Sequence, residues 1–161
     1  MSHLDHLRYA IPDIDVSHVV DVGSGAGGFL LECARAGIDA HGIEYNREHI
    51  ARAEDRARVA HLTITVTQGV AEQLPCADAS ATFVNVSEVL EHVQDPRRAV
   101  AEIARILAPR GSAYLTVSNR FGIINPHFHL WGINWIPRPL AEKIISLLQR
   151  DKDYHGVARK A

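Results

Sequence analysis

The chain has 161 residues, 47% hydrophobic and 22% charged, proportions that suit one soluble globular domain. A formal net charge of −2 excludes a global basic field that would draw nucleic acid, and no apolar run reaches the ~18 residues of a bilayer span. Cys33 and Cys76 are too few and too scattered for a disulfide framework or a zinc site, so they read as reduced thiols of a cytoplasmic protein.

In chain order, residues 1–15 read as a lead-in with little room for a covering helix, its His3 and His6 ordinary surface. Residues 16–21 read as a first strand that runs into the cluster Gly23-Ser24-Gly25-Ala26-Gly27-Gly28. A helix over 27–36 follows, with Gly37 as its C′ residue. Residues 40–44 form a second apolar strand. Asn46 then caps a helix reaching about residue 60, with Ile50, Ala53 and Ala57 inward and Glu48 favourable in the first turn. Leu62-Thr63-Ile64-Thr65-Val66 alternates as a third strand, and 82–87 reads as a fourth. Asp95-Pro96 opens another helix, because proline at the first helical position loses no needed N–H. Its apolar stripe reads Val100, Ile103, Ala104 and Leu107. Pro109-Arg110-Gly111 makes a turn before a fifth strand at 113–117.

Strands alternating with helices predict an α/β fold, a doubly wound Rossmann-like parallel sheet. Domain organisation reads as a single domain over 1–161: the lead-in, a core over 16–118, and an aromatic segment with a helix over 119–161. That last segment carries Phe128, Trp131 and Trp135, with a helix at 139–150. His127 and His129 have no third ligand nearby, so no metal site is predicted.

The glycine cluster is the most informative stretch. A strand that turns into a helix through glycines presents helix N-terminal amides to a ligand. Glu44, 21 residues after Gly23 at the tip of the second strand, stands where such folds grip a ribose diol. Two templates fit the glycines. Gly23-x-Gly25-x-x-Gly28 matches the dinucleotide fingerprint, whereas Gly23-x-Gly25-x-Gly27 with Asp21 does not need the third position. Asp21 favours the second. A buried acid so close would repel a pyrophosphate and tolerate a cation.

Asp21-x-Gly23-x-Gly25-x-Gly27 resembles the Asp-x-Gly-x-Gly-x-Gly motif of class I S-adenosylmethionine-dependent methyltransferases. Ala71-Glu72-Gln73-Leu74-Pro75, then Ser87-Glu88-Val89-Leu90-Glu91-His92-Val93 with Asp95-Pro96, then Leu107-Ala108-Pro109-Arg110-Gly111, extend the likeness to the ubiquinone/menaquinone-biosynthesis-type group over roughly residues 17–120. The resemblance implies S-adenosylmethionine as cofactor and a small-molecule acceptor. It implies that Asp21 and the turn at Gly23, Ser24, Gly25 and Gly27 hold the methionine end, and that Glu44 takes the ribose. Tyr45 would pack on adenine and Ala71 would offer its backbone to the adenine edge. Ser87 and Glu88 would border the cofactor, His92 would lie beside the methyl-transfer crevice as a candidate base, and Phe128, Trp131 and Trp135 would form an acceptor lid.

The chain departs from the family pattern in several places. Val70 stands where the pattern has an acid for the adenine amino group, Ala81-Thr82 replaces Phe-Asp, and Asn85 occupies an aliphatic position. Little sequence follows the fifth strand to supply the family's last two strands, so its edge is expected to be covered by the helix at 139–150 or by a second copy in a homodimer. These departures keep a second reading open, a non-catalytic or truncated cofactor-binding domain. A NAD-binding domain stands third.

Overall fold

A computed structural model of the chain describes residues 3–117, which fall within the first of the two units into which the chain divides, Met1–Ser118. The expected aromatic lid (Phe128, Trp131, Trp135) and the helix at 139–150 lie outside the described residues. Helices α1 (His3–Ala10), α2 (Gly28–Arg35), α3 (Arg47–Val59) and α4 (Pro96–Ile106) accompany strands β1 (Val19–Val22), β2 (Ala40–Glu44), β3 (Thr65–Gln68), β4 (Ala81–Ser87) and β5 (Leu107–Thr116). The strands form one sheet in the order β3-β2-β1-β4-β5, every pairing parallel. The predicted doubly wound α/β architecture is the one observed. Strand order reverses between β1 and β4, and in such sheets ligands settle beyond the carboxyl ends at that point.

Both faces of the sheet are covered, which is why its central strands are buried throughout. On one face Val20, Val22, Ile43, Val84 and Val86 pack against Ala99, Ile103 and Ile106 of α4. On the other, Val19, Ala40 and Phe83 meet Leu4 and Leu7 of α1 and Phe29, Leu30 and Cys33 of α2. Each fully buried Leu, Ile or Phe contributes roughly 1.5–3 kcal/mol relative to exposure.

Helix boundaries follow local chemistry. Asn46 caps α3 by accepting the Glu48 amide, and Asp95 caps α4 by accepting those of Arg97 and Arg98. Helix α2 ends on Gly37 at φ 69°, with the amide of Ile38 on the carbonyl of Cys33 and that of Gly37 on Ala34. This is a Schellman closure around a residue in the left-handed region.

Five expectations change. The lead-in is the helix α1, whose Leu4 and Leu7 are core residues, and His3 is no ordinary surface histidine. The first strand starts at Val19 because the Asp15 carboxylate takes the Ser17 amide in a local turn. The third strand starts at Thr65 rather than residue 62, because α3 closes by a second Schellman motif. His61 sits at φ 54°, and the Leu62 amide returns to the carbonyl of Ala57. The backbone of Leu62 is thus committed to the helix end before pairing can begin. The fifth strand extends back to Leu107, with Pro109-Arg110-Gly111 as an irregularity inside it. Ala81 pairs with Leu107 and Phe83 with Ser112. The buried stripe of α4 is Ala99, Ile103 and Ile106, leaving Val100 46% exposed.

Candidate active site

Three alternate positions of the glycine turn adopt positive φ: Gly23 at 71°, Gly25 at 53° and Gly27 at 73°. A Cβ on Gly23 would strike the Val89 side chain, and one on Gly27 would lie 2.8 Å from Cβ of Ala53 in α3. A Cβ on Gly25 would meet nothing within 4 Å. Gly23 and Gly27 therefore serve packing, and Gly25 faces open space that a ligand can approach. Gly28 has no positive φ, and a Cβ there would also meet nothing within 4 Å. The close helix packing that the dinucleotide template assigns to its third glycine is here done by Gly27.

Glu44 locks this turn to the tip of β2. Its Oε2 accepts the Gly25 amide and its Oε1 the Asn46 amide, both at 2.8 Å. The amides of Gly23 and Ser24 both donate to the carbonyl of Ile43, at 2.7 and 3.2 Å. Glu44 is 8% exposed, with His49 Nδ1 at 3.7 Å from Oε1. A carboxylate offers about four lone-pair sites, so two amides leave capacity for a diol.

Asp21 lies on the same sheet face, paired in register with Gly42 on β2 and Asn85 on β4. It is 3% exposed and accepts a 2.7 Å hydrogen bond from Nδ2 of Asn85. Burial pushes its carboxyl up to about 7. The Asn85 bond opposes that rise and the nearby Glu44 charge adds to it. Oδ1 of Asn85 accepts from Ser87 Oγ at 3.2 Å and lies 3.1 Å from His3 Nε2, which must donate to an acceptor-only oxygen. The His3 ring meets Phe29 and Tyr114 edge-on, so α1 reaches the buried acid through one amide. The Cys33 thiol nearby is pushed up to about 12 by burial and the charges of Asp21 and Glu32, and stays protonated.

Ser24 Oγ is buried with no hydrogen-bond partner, the one such side-chain atom among the described residues. It sits over Gly42, where an added Cβ would come within 2.7 Å of it. An orphaned buried hydroxyl is costly by roughly 1–3 kcal/mol unless a ligand completes it.

The remaining predicted residues lie on the segments that follow β2, β3 and β4. Tyr45 is 69% exposed just after Glu44, Val70 is 40% exposed, and Ala71 is buried. Glu88 holds φ 56°, its amide donating to Thr116 Oγ1 and the Thr116 carbonyl, so the end of β4 is fixed in a sparsely populated conformation. His92 is exposed on a turn closed by its own amide on the Val89 carbonyl. Asp21, Ser24, Gly25 and Glu44 are thus brought together, while His92 stands apart from them on the outer turn. Sequence reading missed His3 and treated Asn85 only as a departure. The available signal was parity: a polar residue inside an apolar strand, facing the same side as Asp21.

The family of methyltransferase domains matches residues 20–115. The chain belongs to this family. Among curated relatives, the ubiquinone biosynthesis O-methyltransferase of Methylococcus capsulatus is 39% identical over 103 residues, 63% of this chain and 43% of the relative. That of Psychrobacter arcticus is 34% identical over 153 residues, 91% of this chain and 54% of the relative. This methyltransferase-family chain thus spans about half the length of the curated relatives it matches. A SAM-dependent methyltransferase from Thermotoga maritima superposes with TM-score 0.57 at 27% identity, over 73% of this chain and 52% of that one. The [4+2]-cyclase SpnF superposes with TM-score 0.62 at 28% identity, over 68% and 41%.

Proposed function

We propose that this chain carries the S-adenosylmethionine site of an enzyme that methylates a small-molecule acceptor. The observation that carries the reading is the pair of buried carboxylates, Asp21 and Glu44, flanking a glycine turn that is open above Gly25. Two acids there disfavour a pyrophosphate and favour a ligand bearing an ammonium and a sulfonium, which sets the NAD reading behind this one. Glu44 would take the ribose hydroxyls with the lone pairs its two amides leave. The Ser24 hydroxyl would gain the partner it lacks. Asp21, oriented by Asn85, would face the ammonium, with Tyr45 and the backbone of Ala71 beside the adenine.

Bound in this way, S-adenosylmethionine supplies an electrophilic methyl on a good leaving group. The protein then needs chiefly to position the acceptor and exclude water. Ser87, Glu88 and His92 would border the side from which an acceptor would come. His92 would receive the acceptor's proton if the nucleophile is a hydroxyl, the atom that the curated relatives' names favour. Among the described residues no helix is long and apolar enough to cross a membrane. The free thiols Cys33 and Cys76 favour work in the reducing cytoplasm. The likeness to a [4+2]-cyclase keeps one second reading, a chain that binds the cofactor without transferring its methyl. Calorimetry with S-adenosylmethionine, S-adenosylhomocysteine and NAD tests the reading. Micromolar binding of the first two with none of NAD is expected, and the reverse order would overturn it.

A further inference from the structure

The segment between β3 and β4 is held by carboxylates of two kinds. Leu74 donates its amide to Oε2 of Glu102 on α4 at 2.8 Å. Arg105, one turn further along α4, donates to the carbonyls of Leu74 and Cys76 and to Asp78 Oδ1, at 3.1, 2.9 and 2.7 Å. It also grips both oxygens of Glu102, at 2.8 Å each, which holds that carboxyl down at about 2. These contacts fasten the far part of the segment to the body of the helix. Glu72 does something different. It directly follows Ala71, and its Oε1 accepts the amide of Gln94 at 2.7 Å and that of Asp95 at 3.4 Å. Those amides end the turn that runs from Glu88 through His92 into the N-cap of α4. One half-buried carboxylate therefore spans two ligand-facing segments, one leaving β3 and one leaving β4.

We propose that Glu72 is a positioning residue that couples the adenine side of the cofactor site to the turn bordering methyl transfer. This rests on the cofactor reading above. The separation between the Ala71 backbone and the residues 88–95 is set by two backbone hydrogen bonds to a single oxygen atom. Both amides converge on that oxygen, and no covalent connection shorter than β4 itself joins the two segments. Occupation of the adenine side would therefore order the opposite turn, and by linkage an ordered turn would favour the cofactor by the same factor. The required property is an oxygen acceptor at this place, not a negative charge. Glutamine at position 72 keeps that oxygen and alanine does not.

The test uses S-adenosylhomocysteine as the probe, on the full chain and on Glu72→Gln and Glu72→Ala. Calorimetry gives affinity, and amide hydrogen exchange across residues 88–95 gives the coupling. The wild type and Glu72→Gln should bind alike and slow the exchange of the Gln94 amide on binding. Glu72→Ala should bind roughly tenfold more weakly and lose that protection, with an unfolding midpoint close to wild type. Equal affinity and equal protection in Glu72→Ala would overturn the role of Glu72 while leaving the cofactor reading intact. Failure of the wild-type chain to bind the probe would overturn both.

Discussion

Asp21 carries a stability cost that the proposed cofactor would offset. Its carboxyl titrates near 7 when folded against an ordinary value of 3.8, so the folded chain holds a proton that the unfolded chain releases. The contribution to stability is full below about pH 4, falls as pH rises from there to 7, and is constant above. Asp21→Asn should therefore be more stable than wild type at pH 8 and similar at pH 4. Urea midpoints measured at both pH values check this, and a parallel pH dependence in both proteins would exclude Asp21 as its source. A bound cation favours the ionised form, so cofactor affinity should climb as pH rises through 7 in the wild type alone. Glu44 makes a separate case. Its two amide bonds tie the glycine turn to the start of α3 and its spare lone pairs would face the proposed ribose, so Glu44→Ala should weaken S-adenosylhomocysteine binding by ~1.5–3 kcal/mol. Calorimetry on the variant reads that loss directly, and undiminished affinity would remove Glu44 from the site.

At the scale of elements, helix ends set where the strands begin. Helices α2 and α3 close by the same motif, one on Gly37 and one on His61, and in each the residue after the left-handed position returns its amide to the helix. After α3 that return consumes Leu62, and β3 is four residues long instead of the five its alternation suggested. Ahead of helix α4 the Glu72 carboxylate takes the amides of Gln94 and Asp95, while the Asp95 side chain takes those of the first turn. Removing the Asp95 side chain leaves the Arg97 and Arg98 amides without their acceptor. Asp95→Ala should cost ~1 kcal/mol of stability, read as a lowered urea midpoint with unchanged slope. A loss far beyond that would mean the cap also holds the turn at 88–95.

For the whole molecule, the sheet has a well-covered centre and, among the described residues, two edges, β3 and β5. On the β5 side Leu115 is 42% and Val117 58% exposed. We therefore expect that side to be the one through which two copies would associate, as an isologous pair. Light scattering at micromolar concentration should report a dimer that Leu115→Ser weakens. A monomer in both proteins would overturn that expectation.

Sequence alone determined the parallel α/β sheet, the glycine turn, the second strand and both helix caps. Each of these is encoded by residues close in sequence: β-branched runs, glycines at fixed offsets, Asn46 and Asp95 ahead of helical patterns. It also marked Asp21 and Glu44, because an acid ending an apolar strand is conspicuous without any partner in view. What only the tertiary structure decided depends on residues far apart. Asn85 reaches Asp21 across 64 positions, and His3 reaches Asn85 across 82. A polar residue inside an apolar strand is visible locally, but its partner is not, since strand order and register are settled by packing against helices. The choice between Gly27 and Gly28 as the packing glycine was likewise invisible until Ala53 of α3 stood against it. Local chemistry fixes where the chain turns. Only the assembled sheet fixes what each turn meets.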